Sequence, residues 1–214
     1  MTPDSMAAGT EAVPAFGQEV LALAGWRRAV SELYAAVRRE PDAATSHELW
    51  RRGRDALFRR HPQSPLAADD ALRDSGLRYF PYDPSLRFEA ALQPANRPET
   101  LRVDTSDGRV RLGLVGRVSL PELGIALDVW WLGQYGGGLF VPLRDGTAGT
   151  ESYGGGRYLL DTAKGADLGD RDGRLIIDLN FLYHPSCRYS VQWVCPLAPE
   201  GNATRVAIRA GERL

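Results

Sequence analysis

Thr100-Leu101-Arg102-Val103 and Val110-Arg111-Leu112-Gly113-Leu114, joined through Ser106-Asp107-Gly108, decide the fold of this chain. In both runs apolar and polar residues alternate with the two-residue period of a strand, which sends successive side chains to opposite faces. The Asp-Gly step between them is a hairpin signal, because glycine reaches the positive φ that tight turns need. Leu86-Arg87-Phe88-Glu89-Ala90 has the same period upstream. Downstream, Ile125 to Leu132 is a heavier strand containing Asp128 and the pair Trp130-Trp131. Leu139 to Leu143, Tyr158 to Leu160, Leu175 to Asp178, Tyr189 to Val194 and Ala203 to Arg209 read as further short strands. Short strands punctuated by Gly and Pro, with no internal repeat and no βαβ alternation, predict a mainly β, α+β chain: an antiparallel β-barrel or sandwich.

The N-terminal part has a different period. From Gly17 to Arg39, Val20, Leu23, Ala24, Val30, Leu33, Tyr34 and Val37 recur near helical spacing, and Pro41 stops the helix. A second helix begins with the capping-box pattern Thr45 and Glu48, carries Leu49, Trp50, Leu57 and Phe58 among five arginines, and ends at His61-Pro62. A short helical stretch from Leu66 to Arg73 closes at Gly76. Two to three N-terminal helices are thus expected to pack on one face or end of the β structure. The organisation predicted is a loose tail over 1–15 and one domain over 16–214, with a helical arm at 16–75 and the barrel or sandwich at 76–214.

Hydrophobic residues make up 43% and charged residues 25% of the 214, the balance of a folded chain with a core. A net charge of -1 gives no global attraction to nucleic acid or anionic lipid, and the Arg-rich second helix lacks the exposed aromatics of a nucleic-acid face. No apolar run approaches the roughly 20 residues of a membrane span. Met1 to Gly9 has neither a basic nor an apolar leader region, so a cytoplasmic protein is expected. Cys187 and Cys195 are then free thiols, and the oligomeric state stays unassigned. Lys164 is the only lysine among 26 basic residues, and the remaining arginines read mostly as solvated surface.

The C-terminal half carries long motifs. Phe140-Val-Pro-Leu-Arg-Asp-Gly-Thr-Ala-Gly-Thr-Glu-Ser-Tyr-Gly-Gly-Gly-Arg-Tyr-Leu160 is the first, and Asp178-Leu179-Asn180 through Tyr183-His184-Pro185 to Cys187 opens the second. Cys195-Pro196, Asn202 and Ala210-Gly211-Glu212 complete it. With Trp50, Ser64-Pro65-Leu66 and Gly76-Leu-Arg-Tyr-Phe-Pro81, these blocks resemble the domain-of-unknown-function 1684 family, which is mainly bacterial and uncharacterised. The resemblance covers most of the chain after the tail and implies no known reaction. Two positions depart from the family pattern: Leu179 where Phe is usual, and His184 where Asn is usual. A ligand role for His184 would therefore be peculiar to this chain.

Three constellations carry chemistry. In the Arg/Gly loop, Arg144 and Arg157 suit a clamp for a carboxylate or phosphate, Thr147, Thr150 and Tyr153 supply hydroxyls, and Glu151 is a candidate general base. The loop has no Gly-Lys-Ser/Thr, so it is not a nucleotide P-loop, and the bland reading is a structural loop fastened by Arg–Asp pairs. On one strand face Asp178 and Asn180 project together, either as a site that orients substrate or water or as a satisfied buried network. His184, Cys187 and Cys195, with Asp178 as a fourth ligand, could hold zinc, although their spacing is not a standard zinc pattern. One of Trp130 and Trp131 is expected in the core, the other elsewhere.

The function expected on these grounds is an enzyme acting on a small polar or anionic metabolite by hydrolysis, elimination, isomerisation or cyclisation, without an organic cofactor. Glu151 or Asp178 would do acid–base work assisted by His184 or Tyr153, with Arg144, Arg157, Asn180 and Thr147 binding substrate. The alternatives are a non-catalytic barrel that binds a small molecule, and a structural or partner-binding domain. Such an enzyme requires Asp178, Glu151 and Arg157 to converge on one concave pocket.

Overall fold

The computed structural model describes residues 15–105, 108–133 and 135–214, so the expected tail (except Ala15) and the Ser106-Asp107 turn lie outside the described residues. Helix α1 (Ala15–Arg39) buries Tyr34 and Val37, and α2 (Ala43–Arg60) buries Trp50 and Phe58. Asp42 caps α2: its backbone is extended and its Oδ1 accepts the Thr45 N–H at 2.8 Å. The expected Thr45–Glu48 capping box is therefore corrected; Thr45 lies inside the first turn and Glu48 pairs with Arg52. Of the helical stretch expected over 66–73, only α3 (Leu72–Ser75) forms, ending at Gly76 with φ +79°. The reason lies in Arg73, whose guanidinium takes the carbonyls of Leu66 and Ala67 that a continuing helix would have used internally.

All strand pairs are antiparallel. The largest sheet contains β3 (Gln93–Pro94), β4 (Thr100–Thr105), β5 (Gly108–Leu120), β6 (Ile125–Leu132), β7 (Gly138–Leu143) and β8 (Arg157–Asp161). Its order is β3-β5-β6-β7-β8, with β4 also on β5. A second sheet orders β2 (Arg87–Ala91), β10 (Arg174–Asp178) and β9 (Asp170–Arg171), and β1 (Arg78–Tyr79) pairs with β11 (Glu212–Arg213). The edges β3 and β8 do not pair with each other, so among the described residues the sheet stays open and no barrel closes. Val118, Leu127, Val141 and Leu159 of the large sheet share one core with Ala90 and Ile177 of the second and with Tyr34 and Trp50 of the helices. The architecture is α+β and sandwich-like, with helices packed on antiparallel sheets.

A bulge between Leu114 and Gly116 changes which face of β5 is buried in which cluster. Before it, the even-numbered Val110 and Leu112 join a cluster with Trp130, Phe140 and Tyr158. After it, the even-numbered Val118 and Leu120 join the main core with Leu127 and Val129. One inserted residue flips the strand's parity, so one strand feeds two clusters on opposite faces of the sheet.

The strands expected at Tyr189–Val194 and Ala203–Arg209 do not form. The first follows a 3-10 turn at Ser186–Arg188 and runs along the surface, with Val191 fully exposed. In the second, the backbone of Arg144 and Gly146 bonds Asn202, Thr204 and Val206 in a single isolated bridge, and beyond it the Arg157 guanidinium takes the Ile208 carbonyl, so the pairing does not extend into a strand.

Candidate functional site

The Arg/Gly loop folds on itself. Arg157, the first residue of β8, is fully buried, with Nη2 2.5 Å from Asp145 Oδ2 and 2.8 Å from the Ile208 carbonyl. Its Nη1 donates to the carbonyls of Ala210 and Glu212. Thr147, also fully buried, donates through N–H and hydroxyl to Asp145 Oδ1 at 2.7 and 2.6 Å. Arg144 turns outward and donates to the Gly154 carbonyl at 3.0 Å. The anion clamp expected of Arg144 and Arg157 therefore does not assemble: one guanidinium is consumed by the interior and the other by the loop. Glu151 stands at the surface, 2.9 Å from Arg209, whose hydrogen bond holds its carboxyl below the usual range. Gly146 explains part of the glycine pattern, since a Cβ there would lie 2.4 Å from the Arg205 carbonyl. Gly156 likewise lies against the Leu143 carbonyl, so these two glycines admit backbone.

Asp178 and Asn180 do project together, into a satisfied network. Asp178 Oδ1 accepts from Asn180 N–H at 3.0 Å and from its amide at 2.8 Å. Asn180 in turn accepts the Asp83 N–H at 2.9 Å and donates to the Asp83 carbonyl at 2.8 Å. Burial lifts the Asp178 carboxyl to about 6 against these bonds. The pair fastens the turn before β2 onto the end of β10.

His184 is buried, and its Nε2 accepts the Tyr153 N–H at 3.1 Å, leaving Nδ1 to carry the proton, 3.7 Å from Glu212 Oε1. Burial takes its pKa down to about 4, although Glu212 pulls the other way, so the ring is neutral at pH 7. Tyr153 lies edge-on to the same ring. Nε2 is thus engaged within the chain, and among the described residues no three His, Cys, Asp or Glu side chains group to hold a metal.

Beneath His184 lies a charged pair that sequence reasoning missed. Arg54 Nη2 sits 2.8 Å from Glu212 Oε2, which also accepts the His184 N–H at 2.8 Å, while Tyr189 donates to Oε1. Burial acts to raise the Glu212 carboxyl, but Arg54 and the two other partners hold it below its ordinary value. The guanidinium lies over the rings of Phe58 and Tyr183 at 4.8 and 4.9 Å.

Arg54 and His184 also line a cavity of about 280 Å³ with residues of α1, α2 and the large sheet. Val110, Leu132, Phe140 and Tyr158 form its sheet wall, Trp26, Val30, Tyr34 and Phe58 its helical wall, and Tyr183 its end. Asp161, at the end of β8, contributes a carboxyl that is 4% exposed and whose Oδ1 has no hydrogen-bond partner. Burial raises its pKa, with Lys164 and Arg27 opposing. Those two cations are exposed and line the same cavity. An apolar, aromatic chamber with a buried acid and a cationic rim suits a small amphipathic ligand.

Of the expected site residues, His184 and the candidate metal ligand Cys195 line this cavity; Arg144, Thr147, Glu151, Tyr153, Arg157, Asp178, Asn180 and Cys187 do not. Asp178, Glu151 and Arg157 lie in three separate environments rather than one. A signal for Arg54 was present: Trp50, Arg54 and Phe58 stand at i, i+4 and i+8, which puts this arginine on the apolar stripe of α2. Asp161 had none, since an Asp ending a strand is ordinary.

A family model described as "Protein of unknown function (DUF1684)" matches residues 74–213. The chain is also similar to an uncharacterised protein of Haloarcula marismortui solved by solution NMR, at 36% identity and a TM-score of 0.56. The match covers 79% of this chain and 93% of that one. No curated protein matches the chain.

Proposed function

The chain belongs to the DUF1684 family of proteins of unknown function, and we propose that it binds a small amphipathic acid in the cavity between its helices and its large sheet. The apolar body of the ligand lies among Phe140, Tyr158, Tyr183 and Trp26, and its carboxylate lies at the rim toward Arg27 and Lys164. The observation that carries the reading is the cavity itself: aromatic residues of the helices and the sheet line it together with two exposed cations. Residues 16–214 act as one domain in this proposal, because α1, α2, the sheet and the Tyr183–Pro196 segment all contribute to the wall. No organic cofactor is required. Opposite walls also supply unsatisfied hydrogen-bonding atoms, Asp161 Oδ1 and Arg54 Nε, which a ligand's polar group can engage.

Asp161 favours a second reading, an enzyme in which this buried acid protonates the bound ligand. A carboxyl raised by burial and lacking a partner on Oδ1 is the state a general acid needs. Thermal shift against benzoate, phenylacetate and hexanoate, followed by recovery of the bound compound, tests both. Binding with the acid recovered unchanged supports the first reading, and conversion lost in Asp161→Asn supports the second. No thermal shift with any of the three removes the first.

A further inference from the structure

A second pocket, of about 260 Å³, is lined by Glu212 and shares His184 with the cavity. Arg78, Arg188 and Arg213 all line it. Arg78 and Arg213 are directly opposed across the β1–β11 pair, an arrangement of like charges that costs stability unless something answers it. Among the described residues none of the three forms an ion pair, while Glu212 at the pocket's base is committed to Arg54 and Tyr189. Arg188 Nε is buried and has no hydrogen-bond partner. Aromatic faces support two of the guanidiniums: Arg188 lies 5.5 Å over Tyr189 and Arg213 lies 5.9 Å over Phe80.

We infer that Arg78, Arg188 and Arg213 form a binding site for a tetrahedral oxyanion, separate from the ligand cavity. Three guanidinium forks around one pocket supply more N–H donors than the protein satisfies, and phosphate geometry accepts them in pairs. The apolar rims at Leu72 and Leu77 leave room for an organic group attached to the anion. The ligand is therefore either free phosphate or a phosphate monoester. His184 lines both pockets, but none of the three arginines lines the cavity, so substitutions at Arg78 and Arg213 leave the cavity's own wall intact.

The test is a calorimetric titration of the full chain with inorganic phosphate and with phenyl phosphate at low ionic strength. Saturable binding is expected, weakened about tenfold or more in Arg78→Ala/Arg213→Ala, with the unfolding temperature of that variant retained. The control is Arg102→Ala/Arg111→Ala, which removes another cross-strand arginine pair that lines neither pocket. Its affinity should match the wild type. Tighter binding of phenyl phosphate points to a monoester, equal binding to the free ion. Absence of saturable binding, or equal weakening in both variants, overturns the assignment.

Discussion

Arg157 and Asp145 form a fully buried ion pair: Nη2 lies 2.5 Å from Oδ2, and the two side chains are 0% and 1% exposed. The same guanidinium fastens the carbonyls of Ile208, Ala210 and Glu212. A loop whose composition suggested anion binding is thereby a fastening between β8 and the C-terminal segment. Arg157→Met leaves Asp145 charged in a dry site and three carbonyls short of a donor. A loss of about 3–5 kcal/mol is expected in urea unfolding. Arg157→Lys should recover only part of it, because a lysine cannot reproduce the fork. A loss under about 1 kcal/mol would mean that solvent reaches the pair.

Arg54 and Glu212 join α2 to β11 in the same manner. Glu212→Gln should cost about 3 kcal/mol by leaving Arg54 uncompensated among aromatic rings. The double variant Arg54→Met/Glu212→Gln should lose less than the sum of the two single losses. Additive losses would show that the two side chains do not stabilise each other.

His184 gives a pH dependence of known sign. Its folded pKa is held down to about 4 by burial, against 6.5 for the unfolded residue, so its contribution is present above pH 6.5 and is lost as pH falls toward 4. Wild type should therefore lose about 3 kcal/mol relative to His184→Asn between those limits. Chemical unfolding of both proteins at pH 7, 5.5 and 4.5 measures the difference. A constant difference would place the ring in solvent.

Asp161 has the reverse sign. Burial raises its folded pKa, so its contribution is fully present below the ordinary carboxylate range and is lost as pH rises through the folded value. Asp161→Asn should match wild type near pH 4 and be the more stable of the two at pH 8. Stabilisation on removing a carboxyl is the mark of a group kept for a ligand rather than for the fold. A variant less stable at both pH values would mark Asp161 as structural.

Much of the fold was legible because period and burial agree. The alternation at Val110–Leu114 and the run at Ile125–Leu132 became β5 and β6, and Trp130 is buried while Trp131 is half exposed. Where backbone pairing stops at an isolated bridge, alternation misled: Ala203–Arg209 looks like a strand, but beyond its bridge to Arg144 the Arg157 guanidinium binds the Ile208 carbonyl. The site was harder to read. Polar density drew attention to Arg144–Arg157 and Asp178–Asn180, and polar density is equally the signature of buried networks that are satisfied within the chain. The cavity is built instead from tyrosines, a strand-end Asp and helix residues that converge from distant parts of the sequence, and no local pattern announces that convergence.

The cavity's role as a binding site is tested most directly by titrating phenylacetate into wild type, Arg27→Glu/Lys164→Glu and Val30→Phe, read by tryptophan fluorescence. The first variant reverses the charge of the rim, and the second fills the chamber from α1. Saturable binding by wild type is expected, weakened about tenfold or more in each variant while their unliganded unfolding temperatures stay near that of wild type. Affinity unchanged by both substitutions would place the acid elsewhere on the protein and contradict the assignment of the cavity.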